Sequence, residues 1–158
     1  MAHPTAVHRA SDRELVITRV FDASARDVFT AWTTPSQLQR WWAPKSSGTT
    51  LSACEIDLRA GGRYRFEFSH AGPEPFAFVG RYLEVVHGAR LAWTNEESED
   101  GAITTVTFED RGAGSSLLTM RETYPSSHAL DQAFDGMKDC TPEQYAQLDA
   151  LLSELVVR

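Results

Sequence analysis

A chain of 158 residues, 42% hydrophobic and 23% charged, has ordinary globular composition and enough length to bury a core within one domain. Its net charge of −7 is uneven: residues 1–79 hold 9 Lys+Arg against 8 Asp+Glu, whereas residues 80–158 hold 6 against 14. An acidic chain without a basic stripe argues against nucleic acid or an anionic membrane as partner, and no apolar run approaches the roughly 18 residues of a membrane-spanning helix.

The opening "MAHPTAVHRASDRE" has no apolar stretch ahead of a small-residue cleavage site, so no signal peptide is expected. Residues 1–12 are polar and without period, which predicts a flexible tail before a single domain over 13–158. Cys54 and Cys140 lie far apart and match no metal or redox spacing, as two reduced packing cysteines of a cytoplasmic protein would.

"RELVITRVF" (13–21) reads as a strand, rich in Val, Ile and Phe. In "SARD", Ser24 is a helix cap with an acid three residues on, opening a helix over 25–33 with Val28, Phe29 and Trp32 on one face. Thr34 followed by Pro35 starts a second short helix that carries Leu38, Trp41 and Trp42 and stops at Pro44. Three of the chain's four tryptophans thus fall within "WTTPSQLQRWW". Trp32, on the face of Val28, belongs to the core. Trp41 and Trp42 point about 100° apart on a helix, so one should enter the core and the other should cap the opening of the sheet.

From Gly48 the period becomes two. "CEID" leads into "LRAGGRYRFEF", with Gly61–Gly62 as a tight hairpin turn. Tyr64, Phe66 and Phe68 then share one face, and Arg63, Arg65 and Glu67 the other. Four further strands are expected near 75–87, 90–96, 102–110 and 115–124, antiparallel because "GAR", "EDG" and "RGAG" join them by short turns. The cluster "EESED" at 96–100 reads as a solvated turn. After Tyr124–Pro125 the pattern is helical from about Ser127 to Val156, with a cap at Ser126 or Ser127 and a bend near Pro142. The order β-αα-β₆-α predicts an α+β helix-grip fold. A curved antiparallel sheet wraps a long C-terminal helix, and two short helices follow the first strand.

The motifs "ITRVFDAS", "VFTAWTTPSQLQRWW", "EIDLRAGGRYRF", "LLTMRETYPS" and a terminal "GM…Y…LDALL" resemble the activator-of-heat-shock-protein-90-ATPase homologues. Those proteins belong to the START-like (SRPBCC), polyketide-cyclase-related superfamily. The resemblance covers roughly residues 14–155 and keeps the family's order. It implies a helix-grip fold with a cavity between sheet and C-terminal helix. It does not imply one reaction, because that superfamily hosts carriers, receptors, cyclases and hydrolases. Two departures stand out: Ala60, where relatives often have Pro, and Pro142, where relatives continue unbroken helix.

An aromatic strand face can be filled core or the wall of an apolar pocket with a few polar anchors. A strongly bent sheet leaves space that one helix does not fill, which favours the pocket. Its expected wall is Trp42, Tyr64, Phe66, Phe68, Phe78, Trp93, Phe108, Met120, Met137 and Tyr145. The expected anchor is Glu122, which alternates with Leu118 and Met120 and should lie at a partly dry strand end with a raised pKa, while Arg121 points outward. His70 reads as a solvated strand end. No histidine has metal-ligand spacing, and neither a nucleophile elbow nor a phosphate loop is present, so no metal or cofactor is expected. The sequence therefore predicts a binder of a small apolar or aromatic molecule. The alternatives are a co-chaperone-like or self-associating interaction domain, and a cyclase- or hydrolase-type enzyme using a pocket acid.

Overall fold

The structure, a computed structural model, describes residues 3–69, 76–96 and 101–156. In chain order its elements are β1 (Ala6–Arg9), β2 (Glu14–Phe21), α1 (Ala25–Thr33), α2 (Pro35–Trp41), a 3₁₀ turn (Lys45–Ser47), β3 (Thr50–Ile56), β4 (Arg63–Ser69), β5 (Phe76–Val86), β6 (Arg90–Thr94), β7 (Ile103–Gly112), β8 (Ser115–Thr123) and α3 (Ser127–Val156). The strands form one antiparallel sheet in the order β1-β2-β8-β7-β6-β5-β4-β3. This is the helix-grip α+β arrangement, a curved sheet with a long C-terminal helix. Register shifts in β3, β5 and β7 mark irregularities of the kind that bend a strand and increase its twist.

Local chemistry explains most boundaries. The Ser24 hydroxyl accepts from the Asp27 amide at 3.1 Å and opens α1. Pro35 sits in the first turn of α2, where its missing N–H costs nothing. Ser126 caps α3, its hydroxyl accepting from the Ala129 amide at 3.1 Å. The helix then runs to Val156 through Pro142 without a loop. In α1, Val28, Phe29 and Trp32 are buried as their spacing requires. They meet Leu15, Ile17 and Phe21 from β2 and Tyr145, Leu148 and Leu152 from α3 in one contiguous core. No helix of the described residues is long and apolar enough to cross a membrane.

Two expectations need correction. Residues 6–9 are not part of a loose tail: they pair with β2 in the register Ala6↔Thr18 to Arg9↔Leu15. Four residues carry too little alternation to announce a strand, but β2 presents a free edge and α3 supplies anchors for Arg9. Its guanidinium lies 2.7 Å from Asp131 and 5.5 Å from the centroid of the Phe134 ring. Nor is Gly61–Gly62 a two-residue turn. Residues 57–62 form a wider loop in which Gly61, at φ +84°, donates to the Tyr82 carbonyl, and a Cβ on Gly62 would stand 2.0 Å from the Asp57 carbonyl oxygen. Both glycines still serve the β3–β4 hairpin: the Gly62 amide donates to the Arg59 carbonyl at 2.9 Å, closing a turn whose third position, Gly61, needs the positive φ.

Candidate functional site

The site begins with the tryptophans. Trp41 is fully buried and its indole N–H donates to the Ala31 carbonyl at 3.0 Å. Trp42 is half-buried and turns the other way, edge-on to Phe66 at 5.5 Å. Trp32 lies between them, with ring centroids 4.9 Å from Trp41, 5.5 Å from Trp42 and 5.9 Å from Trp93. Such tilted and edge-on pairs each contribute about 0.5–1.5 kcal/mol beyond simple burial. The segment after α2 is fastened to α3: Gln144 donates to the Trp42 carbonyl at 2.6 Å, and Gln147 donates to those of Trp41 and Ala43 at 3.1 and 2.9 Å. Glu143 accepts from the amide and hydroxyl of Ser46. One turn of α3 thereby fixes where the Trp42 ring stands.

Beside that ring lies an open cavity of about 430 Å³ between sheet and α3. Trp32, Trp42, Ala43 and Pro44 close it from the helical side, Phe68, Phe76, Phe78, Trp93 and Met120 from the sheet, and Met137, Cys140, Thr141, Gln144 and Tyr145 from α3. A small pocket of about 20 Å³, room for little more than one water, continues it past Tyr64 and Phe66 toward Tyr82. Gly80 is what lets Tyr64 lie flat there. The Tyr64 hydroxyl donates to the Thr94 carbonyl at 2.6 Å, and a Cβ on Gly80 would stand 2.7 Å from that hydroxyl and 2.1 Å from that carbonyl oxygen.

The polar end of the cavity is built on β6, β7 and β8. Glu122 is half-buried and lines the cavity, and its carboxylate accepts from the Thr104 and Tyr124 hydroxyls, each at 2.8 Å. Asn95 donates to the Thr104 hydroxyl at 3.0 Å and to the Ala102 carbonyl at 2.7 Å. Burial raises the Tyr124 phenol above its ordinary pKa, and the charge of Glu122 and the hydrogen bond to it act the same way. Burial likewise raises Tyr145, with Glu122 adding to the effect; the Tyr145 hydroxyl meets the Met120 sulfur at 3.7 Å. Arg121 points outward to Glu14 at 3.2 Å.

Of the residues expected at the wall, Trp42, Phe68, Phe78, Trp93, Met120, Glu122, Met137 and Tyr145 border the large cavity, and Tyr64 and Phe66 border its narrow extension. Phe108 does not reach either. It packs beneath α1, edge-on to Phe29 at 5.4 Å and to Trp32 at 6.2 Å, because α1 crosses the sheet at that point. His70 lies outside the described residues, as do positions 97–100 of the acidic turn. Reading along the sequence missed Trp32 as a wall residue, and with it Asn95, Thr104 and Tyr124. Two of these were within reach: Asn95 follows Trp93 and Tyr124 follows Glu122 at the same two-residue step. Among the described residues no group of three His, Cys, Asp or Glu is placed to hold a metal ion.

Residues 22–153 match the family model described as Activator of Hsp90 ATPase homolog 1-like protein. Among solved structures, a Rhodobacter sphaeroides protein superposes with a TM-score of 0.87 at 22% identity, over 96% of this chain and 99% of that one. A Chromobacterium violaceum protein gives 0.69 at 29% identity, over 90% and 98%. An AHSA1-like protein from Aeromonas hydrophila gives 0.70 at 23% identity, over 85% and 92%. No curated protein matches the sequence.

Proposed function

The chain belongs to the Activator of Hsp90 ATPase homolog 1-like family, and from that premise we propose that it binds a small apolar or aromatic molecule between the sheet and α3. One observation carries this reading. A fold that buries most of its leucines and three of its four tryptophans nonetheless leaves about 430 Å³ open, walled by aromatic rings and two methionines. Small-molecule sites have that size and that mixture of apolar wall with few polar groups. The rings supply contact area with little rotamer entropy to lose, and Met120 and Met137 adapt to the occupant's shape.

Titration with an apolar aromatic probe tests it. Trp32, Trp42 and Trp93 all border the cavity, so tryptophan emission should shift and the melting temperature should rise as the probe binds. Emission and melting temperature both unchanged would sink the reading and favour a protein-contact role, which a chaperone pull-down with an ATPase assay would then examine. Native mass spectrometry of protein purified from its own cells would identify a retained occupant directly.

A second reading, cyclase or hydrolase chemistry with a pocket acid, has one observation in its favour: Glu122 stands in the cavity wall. None of the described histidines lines the cavity, which among the described residues leaves the Glu122 carboxylate as the general base.

A further inference from the structure

Resting on the ligand-binding reading, we propose that α3 is a hinged lid over the cavity: the half before Pro142 swings away from the sheet, and Arg9 of β1 is the latch that holds it down.

The two halves of α3 are held very differently. From Thr141 onward the helix is bedded in the core through Thr141, Tyr145, Leu148, Leu151 and Leu152, all at most 3% exposed. Polar contacts add to that grip. Gln144 and Gln147 donate to the Trp41, Trp42 and Ala43 carbonyls, Glu143 accepts from Ser46, and Arg19 meets Asp149 at 3.3 Å. Before Thr141 only Ala129 and Leu130, in the first turn, are buried, and none of residues 131–140 is. The reason is the cavity itself. Met137, Cys140 and Thr141 border it, so this stretch spans open volume where the later turns rest on packed side chains. A scarcity of buried apolar contacts is what lowers the free energy of local opening.

The join between the halves is weak. Pro142 has no N–H for the Lys138 carbonyl and its ring crowds that carbonyl, so the hydrogen-bond ladder is interrupted there. Gly136 weakens the helix relative to alanine, and a Cβ on it would meet nothing within 4 Å. What holds the first half down is Arg9. β1 is fixed to β2 by its register, and from it the Arg9 guanidinium reaches Asp131 at 2.7 Å and lies 5.5 Å from the centroid of the Phe134 ring. Both partners stand on the stretch that lacks burial. A surface ion pair with a cation–π contact shifts an opening equilibrium by a modest factor, which suits a latch that must release.

Amide hydrogen exchange on the full chain, followed residue by residue by NMR, reads the lid without any ligand. Amides at 134–141 should exchange about tenfold faster than those at 145–152, after correction for intrinsic rates. Arg9→Ala should speed exchange at 131–141 by about three- to tenfold and leave 145–152 unchanged. Pro142→Ala and Gly136→Ala should each narrow the gap between the halves. Equal exchange along both halves of the unmodified protein overturns the lid. An Arg9→Ala effect spread evenly over α3 overturns the latch, and an unchanged gap in Pro142→Ala overturns the hinge. With 2-naphthol as probe and its binding followed by calorimetry, the occupant should slow exchange at 134–141 selectively, because Met137, Cys140 and Thr141 border the cavity. Binding that leaves those amides unchanged overturns the lid's place over the occupant. Absence of 2-naphthol binding counts against the ligand-binding reading alone, since exchange in the empty protein still decides the lid.

Discussion

Two tryptophans one helix apart illustrate how differently similar residues are held. The Trp41 indole N–H has the Ala31 carbonyl as its partner, whereas the Trp32 indole N–H is buried with none among the described residues. Trp→Phe at either site removes similar apolar volume, but only at 41 does it also cost a buried hydrogen bond, worth about 1 kcal/mol. Urea melts should therefore rank Trp41→Phe as the more destabilising by about that margin; a reversed order would mean that Trp32 has a partner in solution. Glu122 yields a sharper pair. Leucine there strands the Thr104 and Tyr124 hydroxyls in a half-dry site and should cost about 2–4 kcal/mol, whereas glutamine keeps one acceptor oxygen and should cost about half as much. Equal losses would show that the carboxylate's hydrogen bonds contribute little. The sequence announced this residue through its alternation with Leu118 and Met120. The same step of two, carried on to Tyr124, would have announced its partner.

At the scale of elements, legibility followed the length of the periodic run. α1, α2 and the buried face of β4 lie where their patterns place them, because caps and apolar spacing act within one element. The four-residue β1 was invisible, since what orders it is the edge of β2 and the Asp131 carboxylate on α3, more than a hundred residues away. The same distinction explains Gly80. Within β5 it looks like a weak point, yet its partner in the register is Tyr64, whose ring crosses it to reach the Thr94 carbonyl. Gly80→Ala should force the ring out of place and destabilise the protein by about 1–3 kcal/mol, the usual range for overpacking. Tyr64→Phe in the Gly80→Ala background should recover little, because a Cβ at 80 would stand 2.1 Å from the Thr94 carbonyl oxygen itself. Full recovery would place the whole clash on the tyrosine hydroxyl.

Across the whole molecule, the cavity is the feature least readable from sequence, because its volume is a difference between the bend of eight strands and the bulk of one helix. The aromatic face was evident; that Phe108 would be covered by α1 while Phe78 and Trp93 stayed at the wall was not. What packing conceals from water it also holds protonated, and this gives stability a predictable pH dependence. Burial raises the Cys54 thiol to about 11, with the charge of Glu55 adding to the effect. Burial also raises the phenols of Tyr82, Tyr124 and Tyr145 above their ordinary range. Each of these groups is neutral when protonated and has a folded pKa above its unfolded one. Their contribution to stability is complete below the unfolded values, about 8.5 for cysteine and about 10 for tyrosine. It is lost as pH climbs through the folded ones, because only the unfolded chain releases the proton there. Stability should thus hold level near neutrality with respect to these groups. It should begin to fall above about pH 8.5 through Cys54, then steepen above about pH 10, by about 1.4 kcal/mol per pH unit for each tyrosine still protonated in the fold. Denaturant melts from pH 7 to 11, with tyrosinate absorbance followed in parallel, check both limbs. Cys54→Ala should erase the first and leave the second. Tyrosinate absorbance at pH 10 exceeding what one of the four tyrosines can give, while the protein remains folded, would mean that water reaches these three phenols, and the dry interior around Tyr145 would have to be redrawn as a wet one.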